Sequence, residues 1–214
     1  MINLFKSFNP RKEKVFVIGF NKTGTTSIKL ALQELGYKLG EQHKFESLLP
    51  QIIKGEYDET FKLIEKAEAF QDIPFSTPNF YKKLFEKYPN AYYILSVRES
   101  SETWFKSLMN FHSVMFFYGR TPSIQVNEIN EYRYPGFLVD YLKLTFGSTD
   151  YNESTYKSVY TNYNNEVRQF FNEKKGKLCV LDLNDNNSYE KMCQFLNIEP
   201  KRENFPWVNK TSKN

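Results

Sequence analysis

Val15-Phe16-Val17-Ile18-Gly19-Phe20-Asn21-Lys22-Thr23-Gly24-Thr25-Thr26-Ser27 decides the architecture. Its first four residues are an unbroken apolar run ending on Gly19, the pattern of a short strand buried on both faces. Thr25 to Ser27 open a stretch with apolar residues at Ile28, Leu30, Ala31, Leu32 and Leu35, closed by Gly36, which predicts an amphipathic helix. Strand, tight loop and helix in that order form the first half of a parallel βαβ unit. The loop keeps the G-x-x-x-x-G frame: its glycines permit the turn, and backbone N–H groups with the helix N-terminus make an anion cradle. Nucleotide-binding loops of this frame place Lys directly after the second glycine, followed by Ser or Thr for Mg²⁺. Here Thr25 holds that position and the lysine lies inside the loop as Lys22. A nucleoside triphosphate would lose its β/γ-phosphate clamp, while Lys22 and the hydroxyls of Thr25, Thr26 and Ser27 still serve an anion.

Outward from the loop, the alternation continues. Residues from about 43 to 68 read as mostly helical, and Ala69-Phe70-Gln71-Asp72 is a short strand stopped by Pro74. Thr77-Pro78 starts a helix, with Pro favoured in its first turn. Ala91-Tyr92-Tyr93-Ile94-Leu95-Ser96-Val97 is the clearest strand and delivers Arg98 at its C-terminal end. Ser100 or Ser101 caps the next helix, which carries Trp104, Phe105, Leu108 and Met109. Residues 119–151 read as an irregular insertion or lid. A long helix near 154–175 follows, then the strand Lys177 to Leu183 and a helix for which Asn187 and Glu190 offer a capping box. The fold class is therefore α/β, a P-loop-type three-layer sandwich with a central parallel sheet flanked by helices. Ligands of such sheets sit at the carboxyl ends of the strands, where Gly19–Ser27, Asp72 and Arg98 fall.

The chain's 214 residues suffice for one domain with a full core, expected over residues 14–210 after a flexible leader at 1–13. The two cysteines, Cys179 and Cys193, and two histidines, His43 and His112, are too few for a Cys/His zinc site or a disulfide framework. Cys179 lies in a strand pattern and His112 on an aromatic helix face, both read as core. A net charge of +4 suits an anionic small molecule but does not argue for nucleic acid. No run approaches the roughly 20 apolar residues of a membrane span, nor the long apolar stretch of a secretory signal, so a cytoplasmic location is expected. Nothing in the sequence sets an oligomeric state.

A second anion receptor is predicted at Arg98, whose guanidinium at a strand end can pair with a hydroxyl of the following helix, Ser101 or Ser107. With these residues in place the chain resembles a known family. Val17 to Ser27 looks like the 5′-phosphosulfate loop of sulfotransferases that use PAPS (3′-phosphoadenosine-5′-phosphosulfate). Ile94 to Glu99, followed by Trp104-Phe105-Lys106-Ser107, looks like their 3′-phosphate-binding strand and helix. The likeness extends through Gln71-Asp72-Ile73-Pro74, the Tyr163 to Arg168 stretch and the tail Phe205-Pro206-Trp207-Val208-Asn209. It departs from the family in three places. Ser107 is the ninth residue after the arginine rather than the eighth, which is Lys106. The usual Asp-Pro is Glu99-Ser100. A glycine-rich loop near the C-terminus is not evident, with Lys210 as a substitute.

The resemblance implies a metal-free sulfuryl transfer from PAPS, released as adenosine 3′,5′-diphosphate, to a hydroxyl or amine of an acceptor. That acceptor is a carbohydrate or other glycan, a lipid or a small metabolite. It implies a donor site of Asn21, Lys22, Thr23, Gly24, Thr25, Thr26 and Ser27 with Arg98 and Ser101 or Ser107. Lys22 would stabilise charge on the bridging oxygen, and Asp72 or, second, His43 would take the acceptor's proton. Two other classes compete. A P-loop kinase or NTPase would use an acid such as Asp182, in Val180-Leu181-Asp182, for Mg²⁺. A non-catalytic descendant would only bind a nucleotide or a partner.

Overall fold

The computed structural model describes residues 12–123 and 132–206. In chain order the elements are β1 (Val15–Val17), α1 (Thr25–Glu34), α2 (Gln42–Glu46), α3 (Leu49–Ile53), α4 (Asp58–Ile64), β2 (Ala69–Phe70), α5 (Phe80–Lys87) and β3 (Tyr92–Val97). They continue with α6 (Ser101–Phe116), α7 (Phe137–Phe146), α8 (Glu153–Asn172), β4 (Leu178–Asp182) and α9 (Ser188–Phe195). The strands form one sheet in the order β2-β1-β3-β4, parallel throughout, with Phe16 beside Phe70 and Tyr93, and Ile94 beside Cys179. This is the α/β sandwich that the alternation of elements predicts.

Because successive strand side chains point to opposite faces, the sheet builds two cores. Val15, Val17, Ile94, Cys179 and Leu181 face α1 and α9, meeting Ile28, Leu32, Met192 and Cys193. Phe16, Ile18, Tyr93 and Leu95 face the other layer, meeting Tyr81, Leu84, Trp104, Tyr163 and Phe171. That second core is aromatic: Phe20 stacks on Tyr163 at 4.3 Å, Trp104 on Tyr160 at 4.4 Å and Phe146 on Tyr156 at 3.9 Å. Helix α8 supplies its share at helical spacing, burying Tyr156, Tyr160, Tyr163, Val167 and Phe171.

Two local expectations are corrected. The stretch read as irregular contains α7, whose Phe137, Leu138, Tyr141, Leu142, Thr145 and Phe146 are buried at helical spacing between Gly136 and Gly147. Both glycines adopt positive φ, which ends the helix sharply at each side. The capping box at α9 does not form: Asn187 makes no side-chain cap, and the Ser188 hydroxyl instead donates to the carbonyl of Asp182. At α6 it is Ser100, not Ser101, that caps, accepting from the Thr103 N–H. The tail from Trp207 through Asn209, Lys210 and the leader up to residue 11 lie outside the described residues.

Candidate active site

The strand order sets the site's layout. Along the carboxyl edge of the sheet lie Asp72 just beyond β2, the 19–24 loop after β1, Arg98 after β3 and Asp182 at the end of β4. Gly19 starts the loop where no side chain fits, since a Cβ there would stand 2.2 Å from Ser96 Oγ and 2.3 Å from the Ser96 carbonyl. Lys22, at φ 72, and Gly24, at φ 94, take left-handed conformations, and for Lys22 that costs about 1–2 kcal/mol.

Hydrogen bonds to the loop offset that cost. Thr23 Oγ1, buried, donates to the Phe20 carbonyl at 2.6 Å and shares a hydrogen bond of 2.6 Å with Ser96 Oγ. Trp104 Nε1–H donates to the Asn21 carbonyl at 3.0 Å, the Tyr163 hydroxyl to the Ile18 carbonyl at 2.6 Å, and Arg98 Nε–H to the Lys22 carbonyl at 2.8 Å. The Arg98 N–H in turn donates to the Tyr160 hydroxyl at 2.9 Å. One aromatic layer thus holds both predicted anion receptors in fixed relation.

What remains around the loop is a set of donors, of which the Thr25 hydroxyl is engaged by Asp72. Gly24 caps α1 without a side chain, the first turn holds no acid, and the Thr25 and Ser27 hydroxyls are buried in it while Thr26 is half-buried. Among the described residues the Arg98 Nη groups make no hydrogen bond beyond the Nε contact. Lys22 Nζ sits 4.6 Å from the centre of the Phe111 ring. Its pKa is lowered, first by burial and then by the nearby Arg98 cation, with Asp72 opposing. Helix α6 reaches the loop at Trp104 and Phe111. Ser107 lies between them, three residues after the first and four before the second, on the same face. Lys106 is exposed, and Ser101 donates to its neighbour Glu102 at 3.2 Å.

Across the loop from Arg98 stands Asp72, 8% exposed, at φ 56, with Oδ2 accepting from Gln42 Nε2 at 3.4 Å. Its pKa is raised to about 6, chiefly by burial and further by the Glu46 carboxylate. A hydrogen bond from Thr25 and the cations Lys29 and Lys22 oppose that rise. Glu46 itself is buried, paired with Arg133 Nε and bonded by Gln42 Nε2 at 2.7 Å. Sequence reasoning overlooked this second carboxylate, because the Glu46–Arg133 pair spans 87 positions and no local pattern signals it.

The site brings together Lys22, Thr25, Asp72 and Arg98, and leaves His43 out. The His43 side chain is 60% exposed on α2 and faces Glu41 at 4.0 Å. Among the described residues it makes no hydrogen bond or ion pair to Lys22 or Asp72. His112 is buried, bonded through Nδ1 to the Tyr151 hydroxyl at 2.8 Å, and its pKa is pushed down to about 3 by burial and by Lys22. Asp182 Oδ1 accepts from the Asn184 N–H at 3.0 Å.

Comparison with models of known protein families matches residues 14–214 to the sulfotransferase domain. The chain belongs to the sulfotransferase family. Its chemistry is therefore sulfuryl transfer, built on a parallel sheet with the anion loop at its carboxyl edge. A search among curated proteins finds no match. No helix among the described residues of this sulfotransferase is long and apolar enough to cross a membrane.

Proposed function

We propose that the protein transfers the sulfuryl group of PAPS to a hydroxyl of a small acceptor, with Lys22, Arg98 and Asp72 as the working side chains. The observation that carries this reading is the Arg98 Nε–H bond to the Lys22 carbonyl at 2.8 Å, which couples two separate anion receptors across one loop. A donor with phosphates at both its 3′ and 5′ positions needs two such receptors held at a fixed distance. The uncapped first turn of α1, the Lys22 ammonium and the unspent Nη donors of Arg98 fit such a donor. When bound, PAPS supplies an activated sulfuryl group on a phosphate leaving group.

The residues then divide the work. The loop N–H groups and the Thr26 and Ser27 hydroxyls hold the 5′ end, with Asn21, Thr23 and Gly24 setting the loop's shape and the Thr25 hydroxyl donating to Asp72. Arg98 holds the 3′-phosphate with Ser107, which shares the loop-facing side of α6, whereas Ser101 is spent on Glu102. Lys22 stabilises the negative charge that develops on the leaving oxygen. Asp72, ionised above about pH 6, accepts the acceptor's proton as general base; the exposed His43 side chain, which among the described residues makes no contact with Lys22 or Asp72, is not given that task.

The test is turnover. The protein is incubated with PAPS and a panel of hydroxyl acceptors, and adenosine 3′,5′-diphosphate is followed by mass spectrometry. The wild type releases it, and Lys22→Ala is slower in kcat by about 10²–10³-fold. Equal rates in the two proteins would remove Lys22 from the chemistry.

A further inference from the structure

Two buried carboxyl groups, Asp72 just beyond β2 and Glu46 on α2, share one amide. Gln42 Nε2 donates to Glu46 Oε1 at 2.7 Å and to Asp72 Oδ2 at 3.4 Å, which spends both of its hydrogens. Gln42 Oε1 in turn accepts from Gln71 Nε2 at 3.0 Å, and Gln71 is the residue before Asp72. The amide therefore has one orientation: turned over, its oxygen would face two carboxylates and its nitrogen the Gln71 donor. Asp72 itself holds a left-handed φ of 56°, a conformation that persists only where the surroundings over-determine it.

The far end of this chain of contacts is an ion pair. Glu46 is 2% exposed, and its Oε2 accepts from Nε of Arg133, which lies ahead of α7. Arg133 Nη2 donates to the Tyr132 hydroxyl at 2.9 Å, and the guanidinium lies 4.0 Å from the centre of the Tyr132 ring. A carboxylate this deeply buried is costly unless it is paired, and Arg133 pairs it. Its charge is felt at Asp72, where burial raises the pKa to about 6 and Glu46 adds to the rise. Thr25 and Lys29 of α1 and Lys22 of the loop also face Asp72 and oppose that rise. So do the hydroxyls of Tyr132 and of Tyr141 on α7, whose own pKa values are raised chiefly by burial, with Asp72 a smaller cause.

We propose that Glu46 is a positioning residue for Asp72: the chain Arg133–Glu46–Gln42–Asp72 holds in place the carboxylate that takes the acceptor's proton. The Glu46 bond to Gln42 directs the second amide hydrogen to Asp72 Oδ2. Its negative charge makes Asp72 a stronger base than burial alone would. Arg133 balances that charge and ties the stretch before α7 to α2. No atom of Glu46 needs to meet the substrate. For its catalytic role this rests on the reading of Asp72 as general base; for the coupling of the two carboxyl groups it does not.

The experiment follows the Asp72 carboxyl carbon by NMR through a pH titration of protein carrying carbon-13 aspartate, the signal being assigned by its loss in Asp72→Asn. Beside it stands the pH profile of kcat for release of adenosine 3′,5′-diphosphate from PAPS. In the wild type both midpoints are expected at about 6. Glu46→Gln keeps an oxygen for Gln42 but removes the charge, and moves both midpoints down by about 0.5–1 pH unit. Gln42→Met keeps the chain length but removes the donor, and moves both up by about 0.3 pH unit or more. His43→Ala, on the exposed side of the same helix, leaves both in place. A merely structural role would lower kcat without moving the midpoints in opposite directions. Midpoints that stay fixed in both variants, move the same way in both, or move as far in His43→Ala would overturn the proposal. Where one variant does not fold, the other decides by itself. If the carboxyl midpoint shifts as expected while the rate profile does not follow it, the coupling stands and the reading of Asp72 as base falls.

Discussion

Replacing Asp72 with Asn should stabilise the fold while stopping the reaction. The structure supplies the magnitude. A carboxyl of ordinary pKa 3.8 is pushed up to about 6 on burial, so the folded chain holds the proton more tightly than the unfolded chain. The protonated group's advantage is complete below about pH 3.8 and is lost as the pH rises through 6. Linkage puts the cost of the ionised side chain at about 1.5 kcal/mol at pH 5 and about 3 kcal/mol at pH 8. Asparagine avoids that cost, accepts the same hydrogen bonds from Thr25 and Gln42, and tolerates the left-handed φ of 56° at this position. The assay is urea unfolding of both proteins at pH 5 and at pH 8. The variant's stability relative to wild type should improve by about 1.5 kcal/mol between the two, a comparison in which pH-independent effects of the substitution cancel. A relative stability that stays flat or falls with pH would refute the reasoning, because Asp72 would then carry no burial cost.

Further outcomes follow from the same geometry. The rate of sulfuryl transfer should fall on the acid side with an apparent pKa of about 6, set by Asp72. His43→Ala should leave both that limb and kcat within about threefold, whereas a catalytic histidine would cost about 10²-fold or more, a split that steady-state kinetics resolves. Gly19→Ala should destabilise by about 3 kcal/mol or prevent folding, because its Cβ would overlap Ser96 at 2.2–2.3 Å. Thermal denaturation and soluble yield check this.

The fold was largely legible because strand and helix periods are local. The Val15–Val17 run, the Ala91–Val97 stretch and the glycine frame of the loop all act over a dozen residues or fewer. Helix α7 escaped because its flanks, Gly136 and Gly147, resemble turn chemistry when read singly. The two glycines bound a ten-residue helix rather than a loop. At the site, residue types and loop geometry were readable, since Lys22 lies in the glycine-framed loop and Arg98 directly follows a strand. What ties them together was not. The Trp104 bond to Asn21, the Tyr163 bond to Ile18 and the Lys22 contact with Phe111 join positions 83, 145 and 89 residues apart. Such pairings follow from packing and leave no mark on spacing. Glu46 and Arg133 escaped for the same reason, although their charge helps set the pKa of Asp72 through Glu46. The exposure of His43 is likewise a tertiary fact, decided by which side of the short helix α2 meets the core at Phe45.

The central claim is a donor site that reads a 3′-phosphate. Calorimetric titration with adenosine 3′,5′-diphosphate, beside AMP and ATP·Mg²⁺, tests it most directly. The account predicts that adenosine 3′,5′-diphosphate binds at least about tenfold more tightly than AMP, and that Arg98→Ala removes the difference. A preference for ATP·Mg²⁺, or a 3′-phosphate preference that survives loss of Arg98, would contradict it.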